Sequence, residues 1–129
     1  VDPAETRAAQ ETTPAPEMPP SAGLMMTEPV RSGQVVYAEH GDLTVVAPVS
    51  SGAELVAAGS IHVYGRLSGR ALAGVGGDAS ARIFCQSLEA ELIAIAGLYR
   101  TSDDHGPEIR GKRVQAYLER DRLKIDPLK

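Results

Sequence analysis

Three histidines, one cysteine and a scatter of serines and aspartates are the side chains of this 129-residue chain that could act as base, nucleophile or metal ligand. Hydrolysis through an activated serine of the α/β type would need a G-x-S-x-G elbow, and the chain has none. His40 falls in the turn Glu39-His40-Gly41-Asp42, His62 on an outward strand position and His105 in a polar loop, so each is expected at the surface rather than as a general base. Cys85 has no second cysteine to pair with, which points to a reducing compartment, and no His and Cys residues cluster at metal-ligand spacing. Neither a metal nor a cofactor is expected. Gly74-Val75-Gly76-Gly77 falls short of the dinucleotide fingerprint because Ala79 stands at its sixth position, and no G-x-x-x-x-G-K-[ST] phosphate loop occurs. Binding chemistry is better served. Gln34, Gly52 and Arg70 recur at intervals of 18, with Ser32, Ser50 and Ser68 as the adjacent row. A glycine within such a row lets another backbone approach, and an arginine beside it offers a planar fork of donors to a carboxylate.

An interval of 18 has physical meaning only if the chain winds, and from Leu43 to Ala79 it reads as a winding chain. Every sixth residue there is aliphatic: Leu43, Val49, Leu55, Ile61, Leu67, Ala73, Ala79. A second series, offset by four, holds only small residues, from Ala47 and Ala53 through Gly59, Gly65 and Ala71 to Gly77. Alternate side chains of a strand point to opposite faces, and the odd positions here are apolar or small except Ser51. Period two nested within period six predicts short strands joined at fixed corners, the pattern of a β-helix. Three faces of six residues close a coil of 18, marked by Gly41, Gly59 and Gly77, with successive coils about 4.8 Å apart.

Around that array the chain divides in two. Residues 1–29, rich in Pro, Ala, Thr and Glu and carrying a net charge of −4, read as a flexible linker, with Leu24, Met25 and Met26 as incidental apolar residues. Residues 30–129 read as one all-β domain of about three coils, opening with a strand at Val35-Val36-Tyr37-Ala38. Leu88 to Ala96 is taken as strand rather than helix, and Val114–Leu118 with Leu123–Ile125 as a hairpin closing the open end of the solenoid. Val46 and Tyr64 should lie side by side on the outer surface, with Glu54, Leu72 and Ala90 as a second outer ladder. Val46, Tyr64 and Leu72 are the candidate homodimer face.

The totals narrow the partners. A domain without clustered Lys and Arg is not expected to bind nucleic acid. No run of about 18 apolar residues could span a bilayer, and no secretory leader opens the chain, so a cytoplasmic location is expected. The first residue is Val1 rather than Met, as expected of a piece of a longer protein. Two alternatives share the hexad pattern. One is a self-polymerising β-helix scaffold; the other is a left-handed hexapeptide-repeat acyltransferase, for which His62 would be the only base.

Arg31-Ser32-Gly33-Gln34, Gly52-Ala53-Glu54-Leu55, Ile61-His62-Val63-Tyr64-Gly65, Gly69-Arg70-Ala71-Leu72-Ala73-Gly74, Ile83-Phe84-Cys85 and Glu91-Leu92-Ile93-Ala94-Ile95-Ala96-Gly97 occur in that order over about a hundred residues. In these motifs the chain resembles the C-terminal domain of the septum site-determining protein MinC. The resemblance implies a short right-handed β-helix of triangular section that dimerises. It also implies a non-enzymatic inhibitor of cell division. Its expected partners are the membrane ATPase MinD, which would bring it to the inner face of the membrane, and the division-ring protein FtsZ. The Arg31, Ser32, Gly33, Gln34 signature would bind MinD, with Gly52 and Glu54 on the neighbouring surface, and Arg70 would contact the division ring. The family's separate N-terminal domain is not in these 129 residues.

Overall fold

The structure, a computed structural model, describes residues 23–128. Odd-numbered residues form its axis: Leu43, Leu55, Ile61 and Leu67 have no exposed surface, and Val45, Val49, Val63 and Ala73 are buried beside them. Each fully buried aliphatic side chain of this kind contributes about 1.5–3 kcal/mol. The hexad series therefore points inward as far as Ala73; its last member, Ala79, is exposed.

The chain winds as a β-solenoid of about four coils, one more than the sequence predicts. One sheet, here the first face, stacks β1 (Leu24–Met26), β3 (Leu43–Val45), β5 (Ile61–Leu67) and β7 (Ile83–Leu88) in parallel. A second face stacks β2 (Val35–Ala38), β4 (Glu54–Ala57), β6 (Arg70–Ala73) and β8 (Leu92–Ile95). Between them a narrow third face is held by the bridges Val30 to Val49 to Leu67, continued by the pairing of Leu67 with Leu88. The additional coil comes from Leu24–Met26, expected as linker. Leu24, Met25 and Met26 pair with Leu43, Thr44 and Val45, so the solenoid starts before Val30. Residues 1–22 of the expected linker lie outside the described residues.

The 18-residue repeat holds in only part of the molecule. Leu43 pairs with Ile61 and Val49 with Leu67, 18 on in each case, but Val35 pairs with Glu54, Glu54 with Arg70 and Arg70 with Leu92. Corner length is the cause. Between the third and second faces the corner takes four residues at Arg31–Gln34 and at Ser50–Ala53, then only Ser68 and Gly69. Between Ala73 and Ile83 the chain makes a long excursion through Gly74–Arg82, so the array ends before Gly77. The expected row of Gln34, Gly52 and Arg70 is thereby replaced by Val35, Glu54, Arg70 and Leu92. Leu72 stands beside Val56 and Ala94 rather than beside Glu54 and Ala90.

The last coil is covered by antiparallel strands. β9 (Leu98–Thr101) runs back along β8, and β10 (Val114–Glu119) runs back along β7 before turning into β11 (Arg122–Pro127). Arg120 and Asp121, both at positive φ (54° and 62°), make the tight hairpin turn. Antiparallel closure of this kind keeps a parallel edge from recruiting a further chain.

Candidate partner-binding site

Arg31–Gln34 forms a turn because Gly33 takes φ +87°, which a side chain disfavours, and because Gln34 N–H donates to the Arg31 carbonyl at 3.0 Å. The Gln34 side chain folds back over it, its Oε1 accepting the Arg31 N–H at 2.6 Å. Ser50–Ala53 repeats the device one coil later, with Gly52 at φ +85° and Ala53 N–H donating to the Ser50 carbonyl at 3.1 Å. The two turns stack, since Gly33 N–H donates to the Gly52 carbonyl at 3.0 Å. Their glycines differ in what they require. A Cβ on Gly52 would collide with the Ser32 hydroxyl, whereas one on Gly33 would meet nothing within 4 Å. Gly33 therefore leaves open space in front of an exposed backbone, flanked by the exposed Arg31, Ser32 and Gln34.

One step onto the second face, Glu54 and Arg70 lie side by side on β4 and β6 and form an ion pair, Arg70 Nη2 to Glu54 Oε1 at 2.9 Å. Arg70 keeps about half of its side chain in solvent. Arg31, Ser32, Gly33, Gln34 and Gly52 thus meet at one corner, and Glu54 and Arg70 continue it. Sequence reasoning missed Glu91. It follows β7 on the fourth coil and its carboxylate accepts a hydrogen bond from the Ser51 hydroxyl at the tip of the second turn. A separation of 40 residues gave no local signal for that contact.

The candidate dimer residues divide between faces. Val46 and Tyr64 are exposed neighbours at the end of the first face, whereas Leu72 lies on the second. Near Tyr64, His62 stacks on Phe84, ring centroids 4.9 Å apart and 5° from parallel, in an apolar groove with Leu128 and Arg113.

Two of the three histidines lie outward, but His105 does not. It is 5% exposed, and among the described residues neither ring nitrogen makes a hydrogen bond of normal geometry, although the Ala90 backbone lies close enough to interact. The loop that carries it packs against the last coil: Ser102 N–H donates to the Glu91 carbonyl, and Arg110 Nη2 donates to the Ser102 and His105 carbonyls. Burial, with the cations of Arg110 and Arg100 nearby, holds the imidazole below the usual histidine range. Burial likewise pushes the Cys85 thiol up to about 12, so it stays protonated and is no nucleophile at neutral pH. Among the described residues no three His, Cys, Asp or Glu side chains gather as metal ligands, and no helix is long and apolar enough to cross a membrane.

A parallel β-solenoid with one corner of stacked glycine turns and a charged strip beside it offers a surface made of backbone shape and a few polar groups. The family of the septum formation inhibitor MinC, C-terminal domain, matches residues 24–128. A probable septum site-determining protein MinC of Brucella abortus (strain S19) is 60% identical over 105 residues, covering 81% of this chain and 42% of that protein. Another, of Rhizobium meliloti (strain 1021), is 52% identical over 136 residues, covering 99% of this chain and 55% of that protein. Among solved structures, a chain of the MinC:MinD cell division protein complex of Aquifex aeolicus superposes with a TM-score of 0.73 at 30% identity, covering 82% of this chain and 86% of that one. The chain belongs to the MinC C-terminal domain family. It spans about half the length of the curated relatives it matches.

Proposed function

We propose that this domain is an adaptor of a cell-division inhibitor, which binds MinD through the corner made by Arg31, Ser32, Gly33, Gln34, Gly52 and Glu54. The observation that carries the reading is the pair of stacked turns. Two positive-φ glycines stack the turns, with Arg31 and Gln34 exposed and open space in front of Gly33, a shape that a partner surface can approach closely. Likeness to a chain solved in a MinC:MinD complex supports the choice of partner. The module works by recognition rather than catalysis. It resides in the cytoplasm and reaches the inner face of the membrane through MinD. Arg70, half-exposed beside Glu54, supplies the contact to FtsZ, where its guanidinium can fork onto a carboxylate.

The domain also forms a homodimer. In a triangular coil the first face lies opposite the corner between the second and third. A dimer built on Val46, Tyr64 and the stacked His62 and Phe84 therefore leaves both MinD corners free. Leu72, on the second face, stays outside that contact.

The test is capture of this domain by MinD in ATP and in ADP. Binding in ATP alone, lost in Arg31→Ala and in Gly33→Asp with the fold intact by circular dichroism, is the expected result. Unchanged binding of Arg31→Ala overturns the site.

A further inference from the structure

Glu91 lies three coils from the Arg31–Gln34 turn, yet the two are joined by an unbroken chain of contacts. Its carboxylate accepts the Ser51 hydroxyl, Ser51 sits in the turn Ser50–Ala53, and the Gly52 carbonyl of that turn accepts the Gly33 N–H. The reach is possible because the intervening third coil is cut short at this corner. Ser68 and Gly69 there replace a four-residue turn, and Gly69 lets the short corner lie directly against the Ser50 and Ala53 carbonyls, where a Cβ would collide. The backbone follows the same path: Glu91 N–H donates to the Gly69 carbonyl at 2.9 Å, and Arg70 N–H to the Ala53 carbonyl at 2.9 Å. We infer that Glu91 is a positioning residue for MinD binding, bracing the stacked turns from the fourth coil through Ser51. The inference rests on the assignment of MinD to the Arg31–Gln34 corner. A turn held in one geometry before the partner arrives loses less conformational freedom on binding, which appears as affinity.

Glu91→Ala and Ser51→Ala each remove the same hydrogen bond, and each should weaken MinD binding about fivefold, the worth of one such bond. The double variant should be no weaker than either single variant, because only one interaction is lost. Glu91→Gln keeps an acceptor oxygen and should bind within about twofold of the parent. Amide exchange at Gly33 should accelerate in Glu91→Ala and not in Glu91→Gln, a readout that a change in global stability alone would not confine to this corner. Arg31→Ala is run alongside. If it loses binding while Ser51→Ala and Glu91→Ala bind as the parent, the brace is overturned and the site stands. If Glu91→Gln fails like Glu91→Ala while Ser51→Ala is harmless, the Glu91 charge meets MinD directly, which also overturns it. Additive losses do the same. Unchanged binding by Arg31→Ala overturns the site and the inference together.

Discussion

The imidazole of His105 ties the stability of this fold to pH in mild acid. His105 is buried without a hydrogen bond of normal geometry among the described residues, so its protonation must overcome burial first, then the nearby Arg110 and Arg100. Asp104 and the Ala90 backbone oppose that effect, and Glu89 lines the same cleft. Because the folded-state value lies below the unfolded value of about 6.5, the unfolded chain takes up more protons in mild acid. The contribution of His105 is therefore fully present above pH of about 6.5 and is lost as pH falls through that value. Melting temperatures measured from pH 8 to pH 5 should fall more steeply for the parent than for His105→Met, which cannot titrate. Parallel curves would show that His105 is accessible to protons in the folded state. The polarity of Thr101–Pro107 gave the opposite expectation, an exposed histidine. A polar loop can still carry one ring inward when the loop is folded over the end of a solenoid, and no local pattern reports that.

Corners, not strands, decide how the elements of this molecule line up. Strand parity survives from Leu43 to Ala73 because the offsets between those coils are even, so each buried residue stays buried. Between the first and second coils the offset is odd, which moves the inward set to Val36 and Ala38. The tightest corner is the third, where a Cβ on Gly69 would collide with the Ala53 carbonyl and stand 2.8 Å from that of Ser50. Both obstacles are backbone and cannot swing aside. Gly69→Ala should cost about 1–3 kcal/mol in denaturant unfolding, as overpacking of a close-packed site does. Gly76→Ala, where an added Cβ meets nothing within 4 Å, should change stability by less than about 0.5 kcal/mol. Equal effects would mean that the third corner relaxes freely, and with it the passage that lets Glu91 reach Ser51.

At the scale of the whole molecule, the cap and the open face divide the work. β9 and β10 pair with the last coil, so its parallel edges are taken at that end and the faces are left for lateral association. The first face carries Met25, Val46 and Tyr64 at 64%, 47% and 54% exposure beside the His62 and Phe84 stack. Exposed apolar side chains gathered in this way favour self-association. Light scattering should give a dimer for the parent and for Leu72→Gln, and a monomer for Tyr64→Glu with MinD binding per protomer retained. A parent that runs as a monomer would sink the dimer, and a dimeric Tyr64→Glu would move it to another face.

The all-β solenoid, its inward residues over two coils and the closing hairpin were legible in the sequence, as was strand rather than helix over Leu88–Ala96, although that segment breaks at the corner Glu89–Glu91 into the end of β7 and β8. These follow from side-chain alternation and turn chemistry, which are local and repeat within a few residues. The sequence also held the motif that became the stacked corner, since glycines at positive φ leave a mark in composition. That Leu24–Met26 belongs to the first coil, that Glu54 rather than Gly52 stands beside Arg70, that Leu72 is parted from Tyr64 and that Glu91 touches Ser51 were settled by packing. Each depends on the register between coils. Register is set by the summed length of corners far apart in the chain, so one residue more or less in any turn reassigns every neighbour beyond it.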